Sequence, residues 1–135
     1  LAYIIVTDQF SRNMYRGTEK SFASDRLAIS AAKQSIQYGF DMRIDPPARQ
    51  FFYMPLMHSE NLTDQDRCVR LMHERMPNSG VDNLLHARAH RAVIRQFGRF
   101  PSRNQALKRK ATELEAAYVA SGGYGMTLTQ VANAG

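Results

Sequence analysis

The sequence predicts an all-α domain, and three observations lead to this prediction. Apolar residues recur every three to four positions along several long segments, as they do on the buried face of a helix. Residues that start or end helices flank these segments, such as Asp45 before two prolines and Gly98 after a periodic run. No segment combines sustained period-two alternation with hairpin turn residues, so the sequence gives no strand signal.

Length and composition limit the possible classes of protein. The 135 residues suffice for one domain with a single core, and the apolar fraction of 44% argues against wholesale disorder. The single cysteine, Cys68, excludes an intrachain disulfide and favours a reducing, cytoplasmic location. The longest apolar run, Leu1 to Val6, is shorter than the roughly 20 residues of a membrane span and lacks signal-peptide features, so we expect no membrane association.

The first helix is expected from Leu1 to about Arg12. Its opening, Leu1 to Val6, is apolar on every face, so another segment must cover it. Because no initiator methionine is present, we expect residues upstream of Leu1; otherwise the cover would be a second subunit, giving a homo-oligomer. Asp8 and Arg12 lie four residues apart and can pair, either in a polar site or as a structural ion pair.

A histidine and a carboxylate, two residues apart, follow the third predicted helical region. Residues 25–38 predict a second helix, and the apolar run 51–57 predicts another that Pro55 should kink or split. His58 and Glu60 follow this kink. They form either a ligand or acid–base pair, or simply an exposed helix end.

Three further helices complete the predicted fold. Residues 63–75 predict a helix capped by its first threonine, 81–97 a central helix, and the segment Thr112 to Glu115 a capping box that opens the last helix. We therefore predict a single all-helical domain over 1–121. The glycine-rich residues 122–135 are expected to form a loose tail.

The central helix carries two histidines on its inner face. His86 and His90 share a stripe with apolar Val93 and Phe97, whereas four arginines lie on the opposite side. Imidazoles four residues apart can share a metal ion, but the glutamate of the zinc-protease motif is absent between them. The sequence therefore favours hydrogen-bonded core histidines over a metal site.

A basic segment follows these histidines. Between Asn83 and Lys110 there are eight Lys or Arg residues and no Asp or Glu, within a chain of net charge +6. Such patches attract phosphate backbones. The segment matches no groove-reading motif and lacks interleaved exposed aromatics, so it argues for a solvated helix face and against nucleic acid. Nucleic-acid binding through Arg88–Lys110 is kept as the weaker alternative.

Two short segments resemble each other. Residues 8–13 read DQFSRN and residues 98–104 read GRFPSRN, so each places an Arg-Asn pair after an aromatic residue at a helix boundary. Arginine offers a planar fork to carboxylate or phosphate, and asparagine adds a donor and an acceptor. If the two pairs converge, they form an anion-binding pocket. The alternatives are that each pair caps a helix end, or that the match is a coincidence.

Four motifs from Asp8 to Asn104 resemble the bacterial domain-of-unknown-function family 924: DQFSRNMYRGT, SFASD, FFYMPLMHSE and HRAVIRQFGRFPSRN. That family usually reads DQFPRN and FGRFPHRN, so Ser11 and Ser102 are departures. Its later glycine-arginine-serine-threonine stretch appears here as Leu107 to Thr112.

The resemblance implies a tetratricopeptide-like fold, in which antiparallel helix pairs stack into an array, with further helices before Leu1. It implies no activity, and it leaves any cofactor unknown. By position in the motifs, it draws attention to ten polar residues: Asp8, Gln9, Arg12, Asn13, His58, Glu60, His90, Arg99, Arg103 and Asn104.

Our first functional hypothesis is a small-ligand site, with or without enzymatic activity, between the inner ends of the first and central helices. His90 would be the acid–base group, oriented by Asp8 or Glu60. An anionic ligand would be held by arginines and oriented by asparagines: Arg12, Arg99, Arg103, Asn13 and Asn104. The alternative is an interaction module whose stacked helices bind a peptide or a partner protein.

Overall fold

The computed structural model describes residues 1–78 and 81–134, and every regular element in these ranges is helical, as predicted. The tetratricopeptide-like stacking of helix pairs stays a prediction. The helices are α1 (Ala2–Ile4, then Ile5–Phe10, then Ser11–Met14), α2 (Asp25–Gln37), α3 (Met54–Met57), α4 (Leu62–Arg75), α5 (Val81–Phe97), α6 (Glu113–Ala120) and α7 (Gly123–Ala134). Short 3₁₀ turns cover Glu19–Phe22, Phe40–Arg43, Ala48–Phe52 and Pro101–Arg103.

Helix α1 is continuous, but its middle part, Ile5–Phe10, is π-helical. Such widened turns occur often at functional sites, because they displace side chains from the regular helical positions. Here the wide turn contains the buried Thr7 and Asp8. Of the apolar opening, Ile4 is buried in the core, whereas Val6 is 52% exposed.

Small side chains bring α2 into the interior. Ala28 and Ala32 are fully buried and Ile36 nearly so, which lets α2 pack closely against its neighbours. Gly39 follows with a φ of 74°, in the left-handed region that favours glycine. The predicted extent of this helix and its glycine stop are therefore confirmed.

The apolar run 51–57 is split as Pro55 predicts. A 3₁₀ turn, Ala48–Phe52, precedes the single α-turn of α3, Met54–Met57, and the chain then leaves the helix at His58. Helix α4 begins two residues earlier than a cap at Thr63 implies. Its cap is Asn61, whose side chain accepts from the Asp64 backbone N–H, so the predicted threonine cap is wrong.

Helix α5 connects two apolar clusters. The larger one contains Ala87 of α5 together with residues of α1 to α4, and the smaller one contains Val93 and Ile94 with residues of the last two helices. His90 lies between these positions along α5. The predicted helix over 81–97 is confirmed, and Gly98 ends it with a φ of 75°.

The capping box at the start of α6 is present: Thr112 accepts from the Glu115 N–H, and Glu115 accepts from the Thr112 N–H. The expected loose tail over 122–135 is wrong for the residues described, because Gly123–Ala134 forms α7. The glycines form a turn between α6 and α7, with φ values of 124° at Gly122 and 60° at Gly123. Thr127 anchors α7 through a 2.7 Å hydrogen bond with Tyr118, and Gly135 lies outside the described residues.

Candidate functional site

Asp8 and His58 form the centre of a polar cluster between α1 and the turn after α3. Asp8 is 1% exposed, and its Oδ1 lies 2.8 Å from Nδ1 of His58. The other carboxylate oxygen accepts from Nε2 of Gln9 at 2.6 Å. An ionised carboxylate only accepts, so the shorter bond assigns the proton to Nδ1 of His58 and the lone pair to Nε2. In this tautomer Nδ1 cannot also accept from the Arg12 Nε–H, so the 3.0 Å approach of that group is a contact and not a second hydrogen bond.

Burial lowers the pKa of His58, and the Arg12 and Arg103 charges lower it further, against the opposing effect of Asp8. For Asp8, burial acts to raise the pKa. The hydrogen bond from His58 and the charge of Arg12 overcome that effect and hold the pKa below its usual value. At neutral pH the pair is therefore a carboxylate with a neutral imidazole.

The two predicted Arg-Asn segments converge through their arginines. Nη2 of Arg12 lies 3.0 Å and Nη1 of Arg103 lies 3.5 Å from Oδ2 of Asp25, at the start of α2. Arg12 also lies beside the Asp8–His58 pair, which we call the dyad. Its Nη2 is 3.7 Å from Asp8 Oδ1, and its Nε is 3.0 Å from His58 Nδ1. The arginines thus meet at an internal carboxylate, and burial raises the pKa of that Asp25 side chain.

Arg103 is clamped between two aromatic rings. Its Cζ lies 4.5 Å from the centre of the Phe22 ring and 4.7 Å from that of Phe100. Nη2 donates to the His58 backbone carbonyl at 2.7 Å. Burial is the main cause that lowers the pKa of Arg103 to about 10, which leaves the guanidinium charged at neutral pH.

Beside this cluster is a pocket of about 300 Å³, which we call the His58 pocket. Its principal polar lining residues are Gln9, Arg12, Asn13, Arg16 and His58, and Phe22 forms part of its wall. Arg16 is exposed, and its Nη2 contacts Asn13 Oδ1 at 3.4 Å. Four of the residues expected from the sequence to bind a ligand therefore line one pocket.

The two histidines of α5 are hydrogen-bonded through Nδ1. His90 Nδ1 lies 2.7 Å from the His86 carbonyl oxygen, and His86 Nδ1 lies 2.5 Å from the Tyr124 hydroxyl. Burial lowers the pKa of His90 to about 4, so its ring is neutral at neutral pH. The ring centres of His58 and His90 are 6.3 Å apart.

His90 faces a different pocket, of about 380 Å³, which we call the His90 pocket. The Phe100 ring centre lies 5.5 Å from that of His90 and 4.7 Å from Arg103 Cζ. His90 and an arginine are thus close enough to share one small ligand, whose pocket spans about 12 Å. The expectation that Asp8 or Glu60 orients His90 is wrong, because Asp8 bonds to His58.

Glu60 is a structural clamp in this arrangement. Its carboxylate binds Nη1 and Nη2 of Arg109 at 2.8 and 3.1 Å, and it also accepts the Phe100 N–H at 2.6 Å. Burial acts to raise the pKa of Glu60, but these hydrogen bonds and the nearby arginines lower it. Glu60 therefore joins the turn after α3 to the segment that follows α5.

Arg99 and Asn104 also lie away from the His58 pocket. Arg99 makes two bonds to Glu115, of 2.8 and 2.7 Å, and the bond from Arg99 is the main cause that lowers the pKa of Glu115 to about 2. Asn104 is buried, and its Oδ1 accepts from Arg109 at 3.0 Å. These two expected ligand residues hold the α5–α6 connection together.

Several residues at the site were missed in the sequence. Asp25 stands in the sequence only as the first residue of the predicted second helix, and no motif identifies Arg16 as a ligand residue. Tyr124 was placed in a loose tail, because glycines surround it. Phe22 carries no sequence signal for stacking on an arginine, since its partner Arg103 is 81 positions away along the chain.

Most of the basic segment is engaged in ion pairs. Arg91 and Arg95 lie 3.5 and 3.6 Å from Asp66, and Arg99, Arg103 and Arg109 bind the carboxylates described above. These pairs reduce the positive field that a phosphate backbone would meet. Within the described part of the chain, no helix is both long and apolar enough to cross a membrane.

The fold and the site define an all-helical protein in which a buried Asp–His dyad lies beside converging arginines. The chain belongs to the family described as "Bacterial protein of unknown function (DUF924)", which its residues 1–123 match. Among curated proteins, none matches the chain.

A solved structure of a protein of unknown function from Agrobacterium tumefaciens is similar to this chain. The two are 38% identical with a TM-score of 0.83, over 90% of this chain and 66% of the Agrobacterium chain. This chain thus spans just under two thirds of the length of that protein. The likeness supports the helical fold and carries no activity with it.

Proposed function

We propose that the protein binds a small anionic molecule in the His58 pocket and that His58 exchanges a proton with it. The observation that carries the proposal is the 2.8 Å bond between Asp8 and His58 at the wall of a pocket with two arginines. Asp8 holds the ring and fixes its tautomer, as the orienting carboxylate of a catalytic dyad does. Nε2 of His58 is then the basic atom offered to the ligand.

The charges around the pocket favour an anion. The guanidinium groups of Arg12, Arg16 and Arg103 outnumber the carboxylates of Asp8 and Asp25, with which two of them pair. Arg16 contributes the remaining positive charge at the rim of the pocket. One carboxylate or phosphate group would balance this charge.

Unsatisfied polar atoms also support a polar occupant. Within the described residues, Nη1 of Arg12, which lines the pocket, is buried without a hydrogen-bond partner. Buried polar groups are paired in the great majority of cases, so such atoms call for a partner such as water or a ligand. Gln9 and Asn13 add neutral donors and acceptors that could orient the anion.

Calorimetric titration with inorganic phosphate at pH 7 and low salt tests the binding step. Arg16→Gln should weaken phosphate binding about tenfold, because a charge-assisted hydrogen bond is worth about 1.5–3 kcal/mol. The matched control is Arg88→Gln, since Arg88 is exposed on α5. Equal affinities for the wild type and Arg16→Gln would contradict this pocket as the site.

The proton-transfer step has its own readout. A bound anion stabilises the imidazolium form, so phosphate should raise the pKa of His58 in an NMR titration. His73, which is exposed on α4, serves as the internal control. Phosphate binding without any change at His58 would retain the anion site and remove the role of His58.

A second candidate function is association through the outer face of α1, and we propose a second copy of the chain as the partner. Four large apolar side chains, three or four residues apart, are more than half exposed there: Tyr3, Val6, Phe10 and Met14. Contiguous exposed apolar patches commonly mark interaction sites. This face extends the predicted association through Leu1–Val6 along the helix.

The proposed location is the cytoplasm. Cys68 is unpaired and buried, and burial raises the pKa of its thiol to about 12. A thiol in this state packs as an apolar side chain and resists oxidation. The proposal therefore rests on composition, because a chain with a single cysteine forms no intrachain disulfide.

A further inference from the structure

The His90 pocket is separate from the His58 pocket and differs from it in chemistry. Val93, Phe100, Tyr118 and Val119 give it mainly apolar walls, at the junction of α5, α6 and α7. Its volume of about 380 Å³ falls within the range of small-ligand sites. The smaller apolar cluster supports its walls, because Val93, Phe100 and Tyr118 belong to both.

Aromatic rings define the shape of this pocket. The His90 ring meets Phe100 edge to face at a centre distance of 5.5 Å and meets Tyr124 at 4.8 Å. Tyr118 lines the pocket as well and is tied to α7 through Thr127. Flat aromatic ligands gain from edge-to-face and offset contacts with such rings.

His90 gives the pocket an acceptor. Its Nδ1 donates to the His86 carbonyl at 2.7 Å, so Nε2 carries the lone pair. No hydrogen bond among the described residues engages Nε2. Burial keeps the ring neutral, with the pKa of His90 lowered to about 4, so the lone pair is free at neutral pH. A ligand that satisfies Nε2 must therefore bring a hydrogen-bond donor.

Arg103 gives the same pocket a positive charge. Phe22 and Phe100 hold its guanidinium, which cannot leave without losing both stacking contacts. A hydroxyl group can donate to His90 and accept from an arginine at once, and a hydroxyl on an aromatic ring also matches the aromatic walls of the pocket. Such a hydroxyl is more acidic than an aliphatic one and suits an acceptor beside a cation.

We infer that the His90 pocket binds a small aromatic molecule that carries a hydroxyl group. The ring lies among Phe100, Tyr118 and Tyr124, and the hydroxyl donates to Nε2 of His90 near Arg103. The His90 and His58 pockets share no lining residue, although the charge of Arg103 lies near both, so binding at either can fail without the other.

The test compares 4-methylphenol, which donates through its O–H, with 4-methylanisole, in which a methyl group replaces that proton. Calorimetry or ligand-detected NMR at pH 7 should give a dissociation constant below about 1 mM for 4-methylphenol. The ether, which has no O–H, should bind about tenfold more weakly, since it leaves Nε2 unsatisfied. His90→Phe should remove this preference.

A surface variant locates the site without disturbing the core. Val119 lines the His90 pocket and is 55% exposed. Val119→Trp should therefore block the entrance of the pocket and weaken 4-methylphenol binding at least tenfold. Leu114→Trp on the same helix is the matched control, because Leu114 is 77% exposed and lies outside the lining of this pocket. Phosphate binding should be unchanged in both variants.

Three results would overturn the inference. These are no binding of 4-methylphenol at 1 mM, equal binding of the phenol and its ether, or equal binding to Val119→Trp and to the wild type. The phosphate titration of Arg16→Gln is unaffected by any of them, so a failure here is distinguishable from a failure at the His58 pocket.

Discussion

Oδ1 of Asp8 lies 2.8 Å from Nδ1 of His58, although 50 positions separate them along the chain. The π-helical turn of α1 presents the carboxylate, and the end of α3 presents the imidazole. The bond therefore joins α1 to the end of α3. The widened turn of α1 and the break at Pro55 bring the two side chains together. It is both a structural link and the orienting contact of the proposed site.

Asp8→Asn should lower the free energy of unfolding at pH 7 by about 2 kcal/mol, because it removes a charge-assisted bond from a buried group. The native pKa of Asp8 is below its usual value of 3.8, so this stability is present above that value and is lost as the pH falls through the native pKa. Urea unfolding at pH 7 measures the effect. Glu74→Gln, at an exposed position of α4, should change little.

The local course of the chain could be predicted well from the sequence. Glycine at 39 and 98, Pro55 and the Thr112 capping box determine backbone geometry through their own chemistry, and the structure has the breaks and starts where they indicate. The same reasoning failed for residues 122–135. A glycine pair ends one helix and equally permits a turn into another, and only the contacts of Thr127 and Tyr124 with distant residues decide between these outcomes.

The sequence identifies which types of residue form the site better than it identifies which residues pair with each other. Complementary groups were identified near helix ends, but pairing depends on long-range geometry that spacing does not encode. The sequence suggests Asp8 as a hydrogen-bond partner of His90, whereas in the structure Asp8 bonds to His58. Glu60 was considered catalytic, but it binds Arg109, which had only been counted as one charge of a basic patch.

Arg103→Lys should lower the free energy of unfolding by about 1–2 kcal/mol. A lysine ammonium cannot contact both the Phe22 and Phe100 rings while it also bonds to the His58 carbonyl, as the larger guanidinium does. Thermal unfolding of the variant measures the loss. Arg88→Lys should behave as the wild type, and an equal melting temperature for all three proteins would show that the clamp contributes nothing.

His90 should make the protein less stable in mild acid. Its native pKa is about 4, against 6.5 for a free imidazole, so the unfolded chain binds a proton first as the pH falls. Stability should decline from about pH 6.5 downward, with a contribution from His90 of about 2 kcal/mol by pH 4.5. His90→Phe should flatten the pH dependence by this amount, and His73→Gln should not.

Glu60→Gln should destabilise the fold without weakening phosphate binding. The substitution removes the charge that binds Arg109 and leaves a weaker acceptor for the Phe100 N–H, at a cost of about 2 kcal/mol. Because the pKa of Glu60 is lowered in the native protein, the difference from the wild type should shrink in acid. Urea unfolding and phosphate calorimetry, measured together, separate this structural role from a catalytic one.

The outer face of α1 predicts self-association. Val6 and Phe10 are each 52% exposed, and burying them against a second copy would remove apolar surface from water. Sedimentation velocity should show a concentration-dependent dimer, and Val6→Glu with Phe10→Glu should return the protein to monomers. Leu114→Glu, on an exposed position of α6, should leave the dimer intact. A wild-type protein that stays monomeric at about 100 μM would contradict the proposed dimer. Its dissociation constant would then be higher than that of an ordinary specific complex.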